Sequence, residues 1–223
     1  MGTANTRVSK DLDTVRRGTL EAFRRTLEGA LRHGWHGFGG VLHDEGQIAA
    51  PVPARYRPHR FRLKLTFRGG DFASFTLEVS AEEAGSLTAR EAAHAHEVAD
   101  WFTELGLPAP DAVPVIPLAH QIAQKLHACS APDTTTWRND RSHDLVDLQL
   151  ALQGVGSAEL ADVRRVAERL FTSRQLHPWP PKVTPRQGWQ DSYSQQAQGL
   201  AVHPDLDSAI AWTNELIARI VIA

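Results

Sequence analysis

The sequence predicts an α+β fold, a small mixed sheet followed by a helical half, and three observations carry that expectation. Residues 61–67 (FRLKLTF) and 72–80 (FASFTLEVS) alternate apolar and polar side chains on either side of Arg68-Gly-Gly-Asp71, which is the pattern of a β-hairpin. Beyond residue 117 apolar residues recur every three or four positions instead, the helical period. The chain has 223 residues, 42% hydrophobic and 22% charged, so it is long enough and apolar enough to bury a real core.

Residues 7–15 read as a short strand with Val8 and Leu12 on one side. A helix is expected over 18–33, where Leu20, Phe23, Leu27 and Leu31 form one stripe. The segment 34–58 is rich in Gly and Pro and reads as loop, with one short strand near Val41. Its WHGFGG run lacks the spacing of a phosphate-binding P-loop. After the hairpin, a helix is expected over 88–105, then a Pro-rich connector with a short strand in PVIPL. Helices are expected over 118–129, 142–153, 157–170 and 205–222, and the Trp-, Pro- and Gln-rich stretch 176–198 reads as irregular. The expected division is residues 1–110 for the α+β lobe and 111–223 for the helical lobe.

Several classes are excluded early. No run of about 18 apolar residues exists, so no transmembrane helix is expected. The N-terminus is polar and lacks the apolar core of a signal peptide. Cys129 is the one cysteine, which rules out a disulfide framework or a cysteine zinc site and suits a cytoplasmic protein. The net charge is −2, but residues 1–68 carry 13 Lys/Arg against 6 Asp/Glu. That basic third either attracts phosphates or nucleic acid or is a solvated arginine face. Only 4 of the 24 basic residues are lysines, Lys10, Lys64, Lys125 and Lys182, so each lysine stands out.

Four places could carry chemistry. In Ser9-Lys10-Asp11-Leu12-Asp13 the strand alternation points Asp11, Asp13 and Ser9 to one side, with Leu12 expected in the core behind. Paired carboxylates repel unless a cation lies between them, and Mg²⁺ with substrate phosphates is a common answer. Solvated or helix-capping pairs are the ordinary alternative. Glu78 falls opposite Phe75, Leu77 and Val79 on its strand. Were that strand beside the one carrying Asp11, three carboxylates would meet, as two-metal chemistry requires; alone, Glu78 reads as an exposed sheet residue. Lys125 borders the apolar stripe Leu118, Ile122, Leu126 and Cys129, where it either snorkels to water or meets a phosphate. Arg141, Asp144 and Asp147 share one side of a helix, which also suits a plain internal Arg–Asp pair. His94 and His96 with Glu97 look like ligands but diverge on a helix, and Trp179 and Trp189 are candidate stacking platforms.

The order S-K-D-L-D, T-L-E-V-S, P-V-I-P-L-A-H-Q-I-A-Q-K-L-H-A and R-N-D-R-S-H-D-L-V-D-L resembles the AbiEii/AbiGii toxin family of nucleotidyltransferases, in the DNA polymerase β-like superfamily. The resemblance runs over residues 7–152, and its specific part is the K-L-H-A block followed by R-x-x-D-L-x-D-L. It implies a nucleotidyltransferase-like sheet lobe and a helical lobe. It also implies Mg²⁺, a nucleoside triphosphate substrate, an RNA acceptor that includes tRNA 3′ ends, and a cognate antitoxin. By motif match Asp11 and Asp13 hold metal, Glu78 is the third carboxylate, Lys125 meets the nucleotide phosphates and Asp144 completes the site from the helical lobe. Ser9 would lie beside the nucleotide, and a phosphate on it would add about −1.5 to −2 charge there. The superfamily's Gly-Gly or Gly-Ser pair ahead of D-x-D has no counterpart but Gly2-Thr3. From this follow two expectations, a start upstream of Met1 and weak transfer by this chain. The rival class is a truncated or degenerate relative that acts by binding a partner protein.

Overall fold

The computed structural model of the chain describes residues 11–88, 91–93, 96–109, 111–153 and 156–223. By their contacts these residues form two compact units. One comprises residues 11–49 and Ala54–Pro117, the other Ala50–Pro53 and Leu118–Ala223.

The first unit is built on a four-stranded mixed sheet in the order β1-β4-β3-β2. Strand β1 (Asp11–Arg16) runs parallel to β4 (Gly70–Ala81). Strands β2 (Phe38–Gln47), β3 (His59–Phe67) and β4 pair antiparallel. The expected hairpin is β3–β4, closed by Arg68 and Gly69, both with positive φ, as a tight two-residue turn demands. Between β1 and β2 lies helix α1 (Leu20–His33). It is capped by the Thr19 hydroxyl, which accepts from the Ala22 N–H at 3.2 Å, and ended by Gly34 at φ 74°. Its stripe of Leu20, Phe23 and Leu27 packs with Leu42 on Phe61, Leu77 and Val79. One sheet face is thereby covered, and the other keeps its polar side chains.

Two expectations in this unit need revision. The Gly-rich segment, expected as loop with one short strand near Val41, holds a strand there that runs for ten residues, β2. Its glycines serve proximity: a Cβ on Gly40 would lie 2.6 Å from the Lys64 carbonyl oxygen and 3.2 Å from Leu31 and Leu65 side chains. The helix expected over 88–105 is shorter. Strand β5 (Glu91–Ala93) pairs antiparallel with β6 (Val113–Val115), and α2 (His96–Glu104) lies between them in sequence.

The second unit is helical: α3 (Leu118–Ser130), α4 (His143–Ala151), α5 (Ser157–Arg174), α6 (Trp189–Ala197) and α7 (Leu206–Ile222). Ile122, Leu126 and Cys129 of α3 join Leu145 and Leu148 of α4 in a core that also takes Leu216 and Ile220 of α7. The stretch expected to be irregular is so over 176–188, but its second part forms helix α6. Its Trp189, Tyr193 and Ala197, four residues apart, are all buried. The Trp189 indole N–H donates to the Asn139 carbonyl at 2.7 Å, so this ring is a core residue and not a stacking platform. The Asn139 amide in turn donates to the Ala128 and Ala131 carbonyls at 2.9 and 2.8 Å, pinning the α3–α4 connection. No helix among the described residues is long and apolar enough to cross a membrane.

Candidate active site

The open face of the sheet carries three of the residues singled out from the sequence, Asp11, Asp13 and Glu78. Partners in a parallel ladder share a face, and β1 pairs Asp11 with Thr76 and Asp13 with Glu78. The antiparallel β3–β4 ladder then sets Arg60 against Glu78, Arg62 against Thr76 and Lys64 against Ser74. Asp11, Asp13 and Glu78 therefore lie on one face of adjacent strands, with the cations of β3 on the far side of β4. Asp11 and Asp13 are exposed. Leu12, expected in the core behind them, is 53% exposed. The reason is that α1 packs on β3 and β4, while β1 is the outer strand.

Glu78 is the residue whose surroundings most change the expectation. Its Oε1 accepts from Arg60 Nη2 at 2.6 Å and from Arg60 Nε at 3.1 Å. The Glu78 hydrogen bond, which outweighs the opposing effect of burial, holds the Arg60 guanidinium pKa above its ordinary value, and Glu45 and Asp11 add to it through space. The face thus carries three carboxylates, and that of Glu78 is bound by an arginine. No group of three His, Cys, Asp or Glu gathered for a metal ion occurs among the described residues. The donor set that fits a hard divalent cation is the Asp11–Asp13 pair, because Mg²⁺ commonly takes one or two carboxylates and completes its shell with water and substrate phosphate oxygens.

The helical unit brings the other two residues together. Lys125 Nζ on α3 lies 2.7 Å from Asp147 and 3.4 Å from Asp144 on α4. Asp144, fully buried, also takes the Arg141 guanidinium in a forked contact of 2.8 and 3.2 Å. Two cations thus answer two carboxylates. Burial works against the Lys125 charge, but Asp144 and then Asp147 outweigh it and raise the ammonium pKa. The lysine keeps 27% of its side chain exposed, so the charge is fixed in place and still reachable. Cys129 on the same helix is fully buried, and burial pushes its thiol pKa up.

Ser9 and His94 lie outside the described residues, as do the side chains of His96 and Glu97. Arg60 and Arg62 went unnoticed in the sequence. Their signal was nonetheless there, since the alternation that marks FRLKLTF as a strand puts Arg60, Arg62 and Lys64 on one face.

A family model described as the nucleotidyl transferase AbiEii toxin of type IV toxin–antitoxin systems matches residues 3–213 of the chain. None of the curated proteins compared with the chain matches it.

Proposed function

The chain belongs to the AbiEii family of nucleotidyl transferase toxins, and from that premise we propose that it moves a nucleotide from a nucleoside triphosphate onto an RNA acceptor, tRNA included. The observation that supports this most is the face shared by Asp11, Asp13 and Glu78 on two parallel, directly paired strands. Family membership carries with it a cognate antitoxin as partner. The work belongs in the cytoplasm, where both substrates occur.

In the proposed reaction a hydroxyl oxygen of the acceptor forms a bond to the α-phosphorus. The bond from that phosphorus to the β-bridging oxygen breaks, pyrophosphate departs with the electron pair, and the hydroxyl proton passes to solvent. Asp11 and Asp13 are the residues that would hold Mg²⁺, which supplies charge neutralisation for the developing oxyanions. Glu78 adds the third carboxylate and orients Arg60. Lys125, kept charged by Asp144 and Asp147, offers its ammonium to phosphate oxygens. Transfer of this kind depends on positioning and electrostatics more than on covalent help from the protein.

The non-catalytic reading, a relative that only binds a partner protein, draws on the Arg60–Glu78 pair, which occupies one of three carboxylates. One assay separates them. Incubated with Mg²⁺, labelled nucleoside triphosphates and bulk RNA, the chain should label RNA, and Asp11→Asn or Asp13→Asn should abolish labelling with the melting temperature nearly unchanged. Full activity in either variant would sink the metal assignment, and no labelling by the unaltered chain would favour the binding protein.

A further inference from the structure

We propose that the open sheet face carries a track for the sugar–phosphate backbone of the acceptor strand, formed by Arg60, Arg62 and Lys64 of β3. The inference rests on the transfer reading above and adds where the acceptor lies.

The three cations alternate along one strand, so they stand about 6.6 Å apart and the row spans roughly 13 Å at ~3.3 Å per residue. Across β4 the rows read Arg60–Glu78–Asp13 and Arg62–Thr76–Asp11, and Lys64 faces Ser74. The strand between the cations and Asp11 therefore presents a hydroxyl at Thr76, and another at Ser74 beside Lys64. Of the β4 residues between the cations and β1, Thr76, Ser74 and Glu78, only Glu78 is charged, and it is paired with Arg60, which leaves Arg62 and Lys64 as the cations that meet phosphate. The track thus begins beside the proposed metal carboxylates and leads away from them.

Charge and length both favour a polynucleotide. A row this long outreaches the phosphates of one bound triphosphate, whereas successive phosphates of a single strand repeat along it. Lys64 and Ser74 are exposed. Arg62 is held by Glu45 at 3.2 Å, but its side chain is 41% exposed and that of Glu45 35%, and so open a pair costs little to exchange for a phosphate. Cations spaced along an exposed strand face are the backbone-tracking part of a sequence-tolerant single-strand site.

The test uses the full chain, without nucleoside triphosphate, and a fluorescein-labelled single-stranded RNA of about 12 nucleotides. Anisotropy titrations over a series of KCl concentrations give Kd and its salt slope. Arg62→Ala and Lys64→Ala should each weaken binding several-fold and lower the slope by about 0.7; the double variant should lose both contacts. Arg169→Ala, an exposed change on α5, should alter neither. Unchanged RNA affinity and slope in the double variant overturn the track. So does an equal loss of affinity for a nucleoside triphosphate, which would give the row to the nucleotide. A loss confined to an acidic partner protein overturns it as well. Binding is read without chemistry, so the two proposals fail separately. RNA bound through this row by a chain that transfers nothing sinks the transfer reading alone. Transfer with an unchanged KM for RNA in the double variant sinks the track alone.

Discussion

A carboxylate with no exposed surface keeps its charge only when cations come to it, and Asp144 is met by two. Removing its charge leaves Lys125 with Asp147 and leaves Arg141, 41% exposed, to water, so the loss is that of the charge-assisted hydrogen bonds to a buried acceptor. Asp144→Asn should therefore cost about 1–3 kcal/mol of stability. Lys125→Met is milder, because Arg141 still answers Asp144. Urea unfolding beside the labelling assay separates the roles: Lys125→Met should lose transfer and keep its stability, whereas Asp144→Asn should lower both. A loss of activity at Asp144 alone thus says little about chemistry. His127 poses the opposite case. Burial, then Arg174 and His177, drive its pKa down to about 2, and its Nδ1 accepts from Arg174 at 3.1 Å. The folded chain holds this ring neutral while the unfolded chain protonates it near its ordinary 6.5. Its contribution to stability is complete above pH ~6.5 and falls as pH drops below that, by about 1.4 kcal/mol per pH unit. In His127→Gln the slope of unfolding free energy against pH between 6.5 and 4 should flatten by that amount; an unchanged slope would show that the ring does not set it.

At the scale of elements, the sequence was legible wherever one face was apolar and the other polar. The hairpin could be read because Phe61, Leu63, Leu77 and Val79 go inward while their neighbours do not. The same alternation put Asp11 and Asp13 on one side of their strand, but that Glu78 shares their face follows from the β1–β4 pairing. The length of strand β2, beyond the short piece expected near Val41, was hidden because Gly39 and Gly40 leave no alternating side chain to read, and glycine ordinarily signals a turn. Their role, close approach of α1 to the sheet, depends on tertiary structure. Gly40→Ala should accordingly destabilise the chain by about 1–3 kcal/mol, seen as a lower melting temperature, since the nearest atom is a backbone oxygen that cannot step aside. Helix α6 was hidden by its Gln- and Ser-rich surface. The signal lay in Trp189, Tyr193 and Ala197 alone, a stripe too thin to stand out among the prolines before it. Leu12 misled because an edge strand obeys the alternation without a helix over it.

For the whole molecule, the α+β order was readable from the switch in period near residue 117, and the family from two motif blocks. What could not be read was which charges cancel. The engagement of Glu78 by Arg60, and of Lys125 by Asp144 and Asp147, joins residues 18 to 22 positions apart, and no local pattern reports such distances. Acid should act chiefly on the helical unit, since His177 there is also depressed, to about 4, by burial and then by Arg174 and Arg186. Circular dichroism at 222 nm should therefore begin to fall between pH 6 and 4.

The chain carries one thiol, and Cys129 is sealed in the core of the helical unit. It is thus a built-in clock for that unit. A thiol-reactive dye can reach Cys129 only when α3 opens, so its labelling half-time, followed by mass spectrometry, measures the opening of one unit while the sheet stays silent. A single reagent, with no engineered probe, can then tell a variant that loosens the helices from one that loosens the strands: Asp144→Asn should speed the clock, and Gly40→Ala should leave it running at its native rate.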